Sequence, residues 1–193
     1  MTFDELIQIA RKESNEIQRD KGTTFEKIVK IYLKNEPVYK NLYSDVWLLH
    51  EVPEEYNIPK KDTGVDLVAR NVATGELTAI QAKFYDSKIY KRHIDSFLAE
   101  LGKNYYTDGM IVYSLDSLSV NADEAINELS KPVSQIGLSD LRNSKIDWQS
   151  VIPDSSEEVK VIEAKSTRPY QQQAISLAVE YFEKNDRGQL IMA

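Results

Sequence analysis

A chain of 193 residues with 41% hydrophobic and 28% charged side chains has room for one full core and a fragment of a second domain. Its net charge of −7 excludes a global basic field for nucleic acid, so any such contact must come from a local basic patch. The lack of cysteine excludes disulfides, thiolate zinc sites and cysteine nucleophiles and fits a reducing cytoplasm; two histidines, His50 and His93, are too few for a multi-histidine metal centre. No apolar run reaches membrane-spanning length, and the start MTFDELIQ has neither the charged region nor the apolar run of a signal peptide, so no membrane partner is expected.

Thr2 and Glu5 have capping-box spacing and open a helix whose stripe is Phe3, Leu6, Ile7, Ala10 and Ile17. Gly22 interrupts. A second helix is expected from Thr23 or Thr24, with Phe25, Ile28, Val29, Tyr32 and Leu33 on one face, ending at Pro37. The period then changes. Strands are expected over Asp45–Val52, Gly64–Arg70 and Leu77–Tyr85, with a polar loop between the first two and a turn at Ala73–Glu76 that makes the last two an antiparallel hairpin. A helix carrying Ile94, Phe97, Leu98 and Leu101 follows, then a strand at Gly109–Tyr113, a helix over Asn121–Leu129 with Asn121 and Glu124 at cap spacing, and a strand at Val133–Leu138. This order gives an α/β domain with a mixed sheet over residues 1–148. Residues 149–167 are polar and acidic and read as a linker, Tyr170–Phe182 as a helix, and Gly188–Ala193 as a strand that stops abruptly, as expected where a longer chain is cut.

The chemistry-bearing residues are Asp66, Gln81 and Lys83. Gln81 and Lys83 are two apart on a strand and share a face. If the turn centres between Ala73 and Thr74, Asp66 lies opposite Gln81; if between Thr74 and Gly75, it lies opposite Lys83. Either of these registers puts all three on one face, whereas a register of the other parity would separate them. A carboxylate and an amide carbonyl are hard oxygen donors that suit Mg²⁺ or Mn²⁺, and the Ala82 carbonyl can add a third. Lys83 can orient a water or stabilise charge developing on a phosphoryl group, a layout for metal-assisted phosphodiester hydrolysis. The alternative is an ordinary cross-strand surface ion pair, but polar groups in strands otherwise as apolar as these need partners.

Gly64-Val-Asp66 and Gln81-Ala-Lys83 resemble the PD-(D/E)XK nuclease superfamily in its Mrr-like variant, where glutamine replaces the acidic residue of the third strand. The resemblance covers roughly residues 1–150. It implies a restriction-endonuclease-like core, a central mixed β-sheet flanked by helices, with Mg²⁺-dependent cleavage of double-stranded DNA. It assigns catalytic places to Asp66, Gln81 and Lys83, and metal ligation to Asp66, Gln81 and the Ala82 carbonyl. The family often adds a glutamate from the first core helix, a place that fits Glu26; Thr23 and Glu26 also have capping-box spacing, so Glu26 is either a site residue or a helix cap. Lys60, Lys61, Lys88, Lys91 and Arg92, with Tyr85 and Tyr90 interleaved, are the candidate DNA-binding patch. His93 is read as a surface residue.

Thr167-Arg-Pro-Tyr-Gln171-Gln-Gln-Ala-Ile175 resembles the opening of superfamily 2 helicase and translocase motors over residues 168–193, with Gln171 in the place of their adenine-contacting glutamine. The phosphate-binding loop is absent from this sequence, so ATP would bind only with the rest of such a motor. A Mrr-like nuclease followed at once by a motor resembles the N-terminal part of type ISP restriction-modification enzymes. That implies motor, methyltransferase and target-recognition domains in cis, a bacterial cytoplasmic setting, cutting with little sequence specificity of its own, and a second copy for double-strand breaks. The alternatives are a cutting-inactive DNA-binding accessory domain and a methylation-dependent Mrr-type restriction enzyme.

Overall fold

The computed structural model describes residues 2–13, 18–61, 64–150, 169–182 and 184–185. They fall into two units, residues 1–162 and 163–193, each taken by itself.

Helix α1 (Phe3–Glu13) opens with the expected reciprocal cap: the Thr2 amide donates to Glu5 Oε2 at 2.7 Å and the Glu5 amide to Thr2 Oγ1 at 3.2 Å. Phe3, Leu6 and Ile7 are buried, and Phe3 packs on Trp148 with ring centroids 4.9 Å apart. Ile17 of the expected stripe lies outside the described residues. Helix α2 (Gln18–Asn35) starts five residues earlier than its spacing predicts, and Gly22 lies inside it. One glycine costs a helix about 1 kcal/mol relative to alanine; burial of Phe25, Ile28, Val29, Tyr32 and Leu33 outweighs that. Pro37 ends α2 as expected and also opens α3 (Pro37–Leu42), since the first helical position needs no amide donor.

The sheet has the order β1-β2-β3-β4-β5. Strands β1 (Tyr43–Leu48), β2 (Leu67–Asn71) and β3 (Leu77–Lys83) run antiparallel in turn, while β4 (Asp108–Tyr113) and β5 (Val133–Ile136) continue parallel to β3. β1 is shorter than expected because Glu51, in a 3-10 turn, accepts the Leu48 amide at 2.8 Å and turns the chain away. The parallel strands are joined through α4 (Asp95–Leu101) and α5 (Val120–Asn127). α5 is capped by Ser119, whose Oγ accepts the Ala122 amide, rather than by Asn121; Ser119 is an equally good cap residue two positions earlier. A short α6 (Leu138–Arg142), too short to show a periodic stripe, follows β5.

Strand alternation sends Leu67, Ala69, Ile80, Met110, Val112 and Ile136 to the face covered by α1 and α2, and Val68, Ala79, Ile111 and Tyr113 to the face holding Phe97, Leu101, Ala122 and Ile126 of α4 and α5. The α/β fold with a central mixed sheet and flanking helices is thus as the sequence predicts. In the second unit the expected helix is α7 (Pro169–Phe182); the linker beyond residue 150 and the strand expected at 188–193 lie outside the described residues.

Phe97 is fully buried between α4 and the sheet. Phe97→Ala is expected to cost about 3–5 kcal/mol; urea unfolding should show a lower midpoint with an unchanged slope.

Candidate active site

The β2–β3 ladder pairs Leu67 with Ile80, Val68 with Ala79 and Arg70 with Leu77. This is the register that would set Asp66 opposite Gln81 if the ladder continued, and its pairing ends at Leu67 and Ile80. The turn follows suit: Asn71 Oδ1 accepts the amides of Ala73 and Thr74, and Gly75 takes a positive φ of 73°.

Beyond Leu67 the two chains part, and side chains replace the backbone ladder. The Asp66 amide still donates to the Ile80 carbonyl at 2.9 Å, and its own carbonyl accepts the Leu49 amide at 2.9 Å. Its carboxylate then takes over, with Oδ2 accepting the Ala82 amide at 2.7 Å. Gln81 bridges the same gap: its Nε2 donates to the Gly64 carbonyl at 2.7 Å. Gly64 holds that carbonyl in place with a φ of 91° that favours glycine, and a Cβ there would lie 2.5 Å from Ser96 Oγ and 2.7 Å from the Phe97 amide.

Gln81 is fully buried, and among the described residues its Oε1 has no hydrogen-bond partner. The bond to Gly64 fixes which end of the amide is which, because only Nε2 can donate to a carbonyl. Leaving an acceptor buried without a partner costs about 1–3 kcal/mol, so the atom is set up for a ligand. Strand alternation also points the Ala82 carbonyl toward β2, on the side of the Asp66 carboxylate. The donor set at the fork is one carboxylate, one orphaned amide oxygen and one backbone carbonyl, a hard-oxygen set that fits a divalent cation. Among the described residues no group of three or more acidic or histidine side chains is placed to hold a metal.

Lys83 is half-buried at the end of β3, on the same face as Gln81. Just past it, Ser114 Oγ accepts the Tyr85 amide and donates to the Tyr85 carbonyl, both at 2.9 Å, pinning the chain that leaves the site. The Tyr85 ring stacks on His93 with centroids 4.9 Å apart. Burial, then the charges of Arg92 and Lys83, hold the His93 imidazole below its usual pKa and favour its neutral form. His93 is thus half-buried beside the site, a correction to its reading as a surface residue; its sequence signal was weak, since nothing local marks a histidine as packed on Tyr85.

Glu26 lies in the third turn of α2, which begins at Gln18, so Thr23 cannot be an N-cap and the capping alternative falls. Its neighbour Phe25 packs on Phe84 with centroids 5.1 Å apart, which brings α2 to the end of β3 from the face opposite Gln81. Lys60, Lys61, Lys88, Lys91 and Arg92 are all exposed. Lys60 donates to the His50 carbonyl at 3.1 Å and Lys91 pairs with Asp95. Gln171 is exposed in the first turn of α7. Sequence reasoning quoted Gly64 for its motif but missed its part in holding Gln81, and it missed Ser114; a glycine two residues before an aspartate at a strand start was the available signal.

The family profile described as "Restriction endonuclease", of the Mrr catalytic group, matches residues 34–158, well over half of the chain. The chain belongs to this restriction endonuclease family. Among solved structures, the ATP-dependent Type ISP restriction-modification enzyme LlaBIII bound to DNA matches the whole of this chain at 50% identity with a TM-score of 0.75; the chain spans 12% of that enzyme. The MspJI restriction endonuclease in complex with a 27-mer oligonucleotide matches 70% of this chain and 29% of its own at 19% identity with a TM-score of 0.50, a likeness of fold alone. Comparison with curated proteins gives no match. The family resemblance read from the sequence, Mrr-like and similar to type ISP enzymes, is borne out.

The Gln81–Gly64 bond makes a sign-specific prediction. A carboxyl group at position 81 satisfies the Gly64 carbonyl only when protonated, so its folded-state pKa rises above the usual value of about 4.3. Gln81→Glu should therefore approach wild-type stability at about pH 5 and lose it progressively toward about pH 8. Thermal melts in EDTA across that range test this; a deficit independent of pH would sink it.

Proposed function

We propose that this chain is a Mg²⁺-dependent DNA endonuclease domain of the PD-(D/E)XK type, with Asp66, Gln81 and Lys83 as its catalytic residues. The observation that carries the reading is the buried, unpartnered Oε1 of Gln81 beside the Asp66 carboxylate, at the end of a strand that also bears Lys83. Asp66, Gln81 Oε1 and the Ala82 carbonyl would hold the cation, and Glu26, on the helix packed at the end of β3, is the second carboxylate of the proposal. A divalent cation there supplies positive charge to a phosphoryl oxygen and lowers the pKa of a water. Asp66 is already oriented for ligation by the Ala82 amide. Lys83 holds the attacking water and stabilises the charge that gathers on the phosphoryl group in the transition state. Family membership and the 50% identity to a type ISP enzyme support this reading.

The remaining roles follow from that likeness. In the whole protein, a motor, a methyltransferase and a target-recognition domain in cis would choose where to cut, and ATP would be bound by a motor to which Gln171 contributes. The domain's own cutting of double-stranded DNA would carry little sequence specificity, and a double-strand break would need a second copy. The setting is the bacterial cytoplasm.

The deciding experiment is nicking of supercoiled plasmid by this chain in Mg²⁺, Mn²⁺ or EDTA. Nicking is expected with either metal and not with EDTA, and Asp66→Ala or Lys83→Ala should each reduce it by at least about 100-fold. Metal-dependent nicking that survives Asp66→Ala would overturn the assignment.

The glutamine makes a second prediction. With one neutral donor in place of an acid, the fork lacks the charge to hold Mg²⁺ alone, and a DNA phosphate would complete the coordination. Calorimetric titration should show only weak Mg²⁺ binding, with a dissociation constant of about 1 mM or higher, to the DNA-free chain.

A further inference from the structure

A cleft of about 430 Å³ opens between residues 88–92 and the start of α5. Lys88, Tyr90, Lys91, Arg92, Val120 and Asn121 line it. The charges here are not compensated. Among the described residues, neither Lys88 nor Arg92 has a carboxylate partner, because the two nearest acids in sequence are engaged elsewhere: Asp86 with Arg11 at 3.1 Å and Asp95 with Lys91. Arg92 lies over the Tyr90 ring, its guanidinium carbon 5.1 Å from the centroid. That contact holds the guanidinium in one orientation without neutralising it. Arg92 Nε also donates to His93 Nε2 at 3.2 Å, and two cations without an acidic partner among the described residues, on one cleft of a chain with net charge −7, form a local anion site.

The cleft also has an apolar side. Tyr90 is 46% exposed and Val120 65% exposed, so both present apolar surface to it. A phosphodiester unit has both parts: an anionic phosphate for Lys88 and Arg92, and a deoxyribose for the rings and methyls. The cleft is joined to the fork by His93, which stacks on Tyr85 on one side and meets Tyr90 edge-on, centroids 5.9 Å apart, on the other. A strand lying across the fork would therefore pass the cleft.

We propose that this cleft is a phosphodiester-binding subsite, separate from the metal-binding fork, that grips the DNA strand beside the scissile bond through Lys88 and Arg92. Lys91, already paired with Asp95, contributes less. The subsite rests on the DNA-cleaving reading for its partner, but its grip needs neither metal nor cutting.

The test is duplex binding by fluorescence anisotropy in EDTA, using Asp66→Ala so that cleavage plays no part. A series of duplexes carries one neutral methylphosphonate at successive positions. Neutralising one phosphate should weaken binding about tenfold, and the Lys88→Ala/Arg92→Ala variant should bind the neutral and charged duplexes alike. That variant should also flatten the plot of log affinity against log salt by about 2, against a smaller change for Lys91→Ala. Arg92→Lys, which keeps the charge and the fold, should restore most of the affinity lost in Arg92→Ala. The proposal fails if the double variant stays as sensitive as its parent at every phosphate, or if the parent binds no DNA in EDTA. Plasmid nicking by the same double variant with Asp66 intact separates the two readings. Nicking that persists, with weakened binding, supports both; unchanged binding with intact nicking overturns only the subsite.

Discussion

Everything at the candidate site depends on β2 leaving β3 one residue before its ladder would continue. Up to Leu67 and Ile80 the two strands pair through their backbones. At the next step the Asp66 carboxylate takes the Ala82 amide and the Gln81 amide takes the Gly64 carbonyl, so the sheet is continued by side chains. This keeps the buried backbone groups paired while opening a gap between the strands. Only glycine fits at the root of the gap, where α4 presses within 2.7 Å of where a Cβ would stand and φ is 91°. The chain is thus wedged by α4 on one side and tied to β3 on the other, and Gln81 Oε1, which has no hydrogen-bond partner among the described residues, is the atom a ligand would need.

Strand parity divides the labour. One face of the sheet is committed to α1 and α2 and is mostly apolar; the other, which packs against α4 and α5, carries Gln81 and Lys83 at the end of β3. Glu26 belongs to the first side and Lys83 to the second, so a ligand in the fork would be approached from both. His93 marks the boundary. It is kept neutral by burial and by its cationic neighbours, so it adds no charge beside Lys83 and acts as a spacer between the fork and the cleft at Arg92.

The sequence made the sheet legible because its strands are short apolar runs bounded by turn residues, and because a hairpin register can take only a few values. Asp66, Gln81 and Lys83 were within reach for that reason: two residues on one strand share a face whatever else happens, and the third follows from the turn. Helix limits were harder to read. Gly22 looks like a stop, yet α2 runs through it because five buried side chains further on hold the helix. Pro37 looks like an end and is also a beginning. Ser119 rather than Asn121 caps α5, since both are good caps and only packing chooses between them. Nor could spacing show that Gln81 is buried with one end bonded and the other not, since that depends on Gly64, seventeen residues away.

The glutamine is the point at which fold and chemistry meet. A glutamate in its place would double the fork's negative charge and strengthen its hold on a cation, but it would set two oxygens against each other at the Gly64 carbonyl, in a fully buried position. The amide resolves that conflict by donating at one end and accepting at the other. What the fork loses in charge must come from elsewhere, and a phosphodiester brings that charge with it. Under the proposed function, a site built this way would be most complete with its substrate in place, which would tie ligation to the presence of DNA.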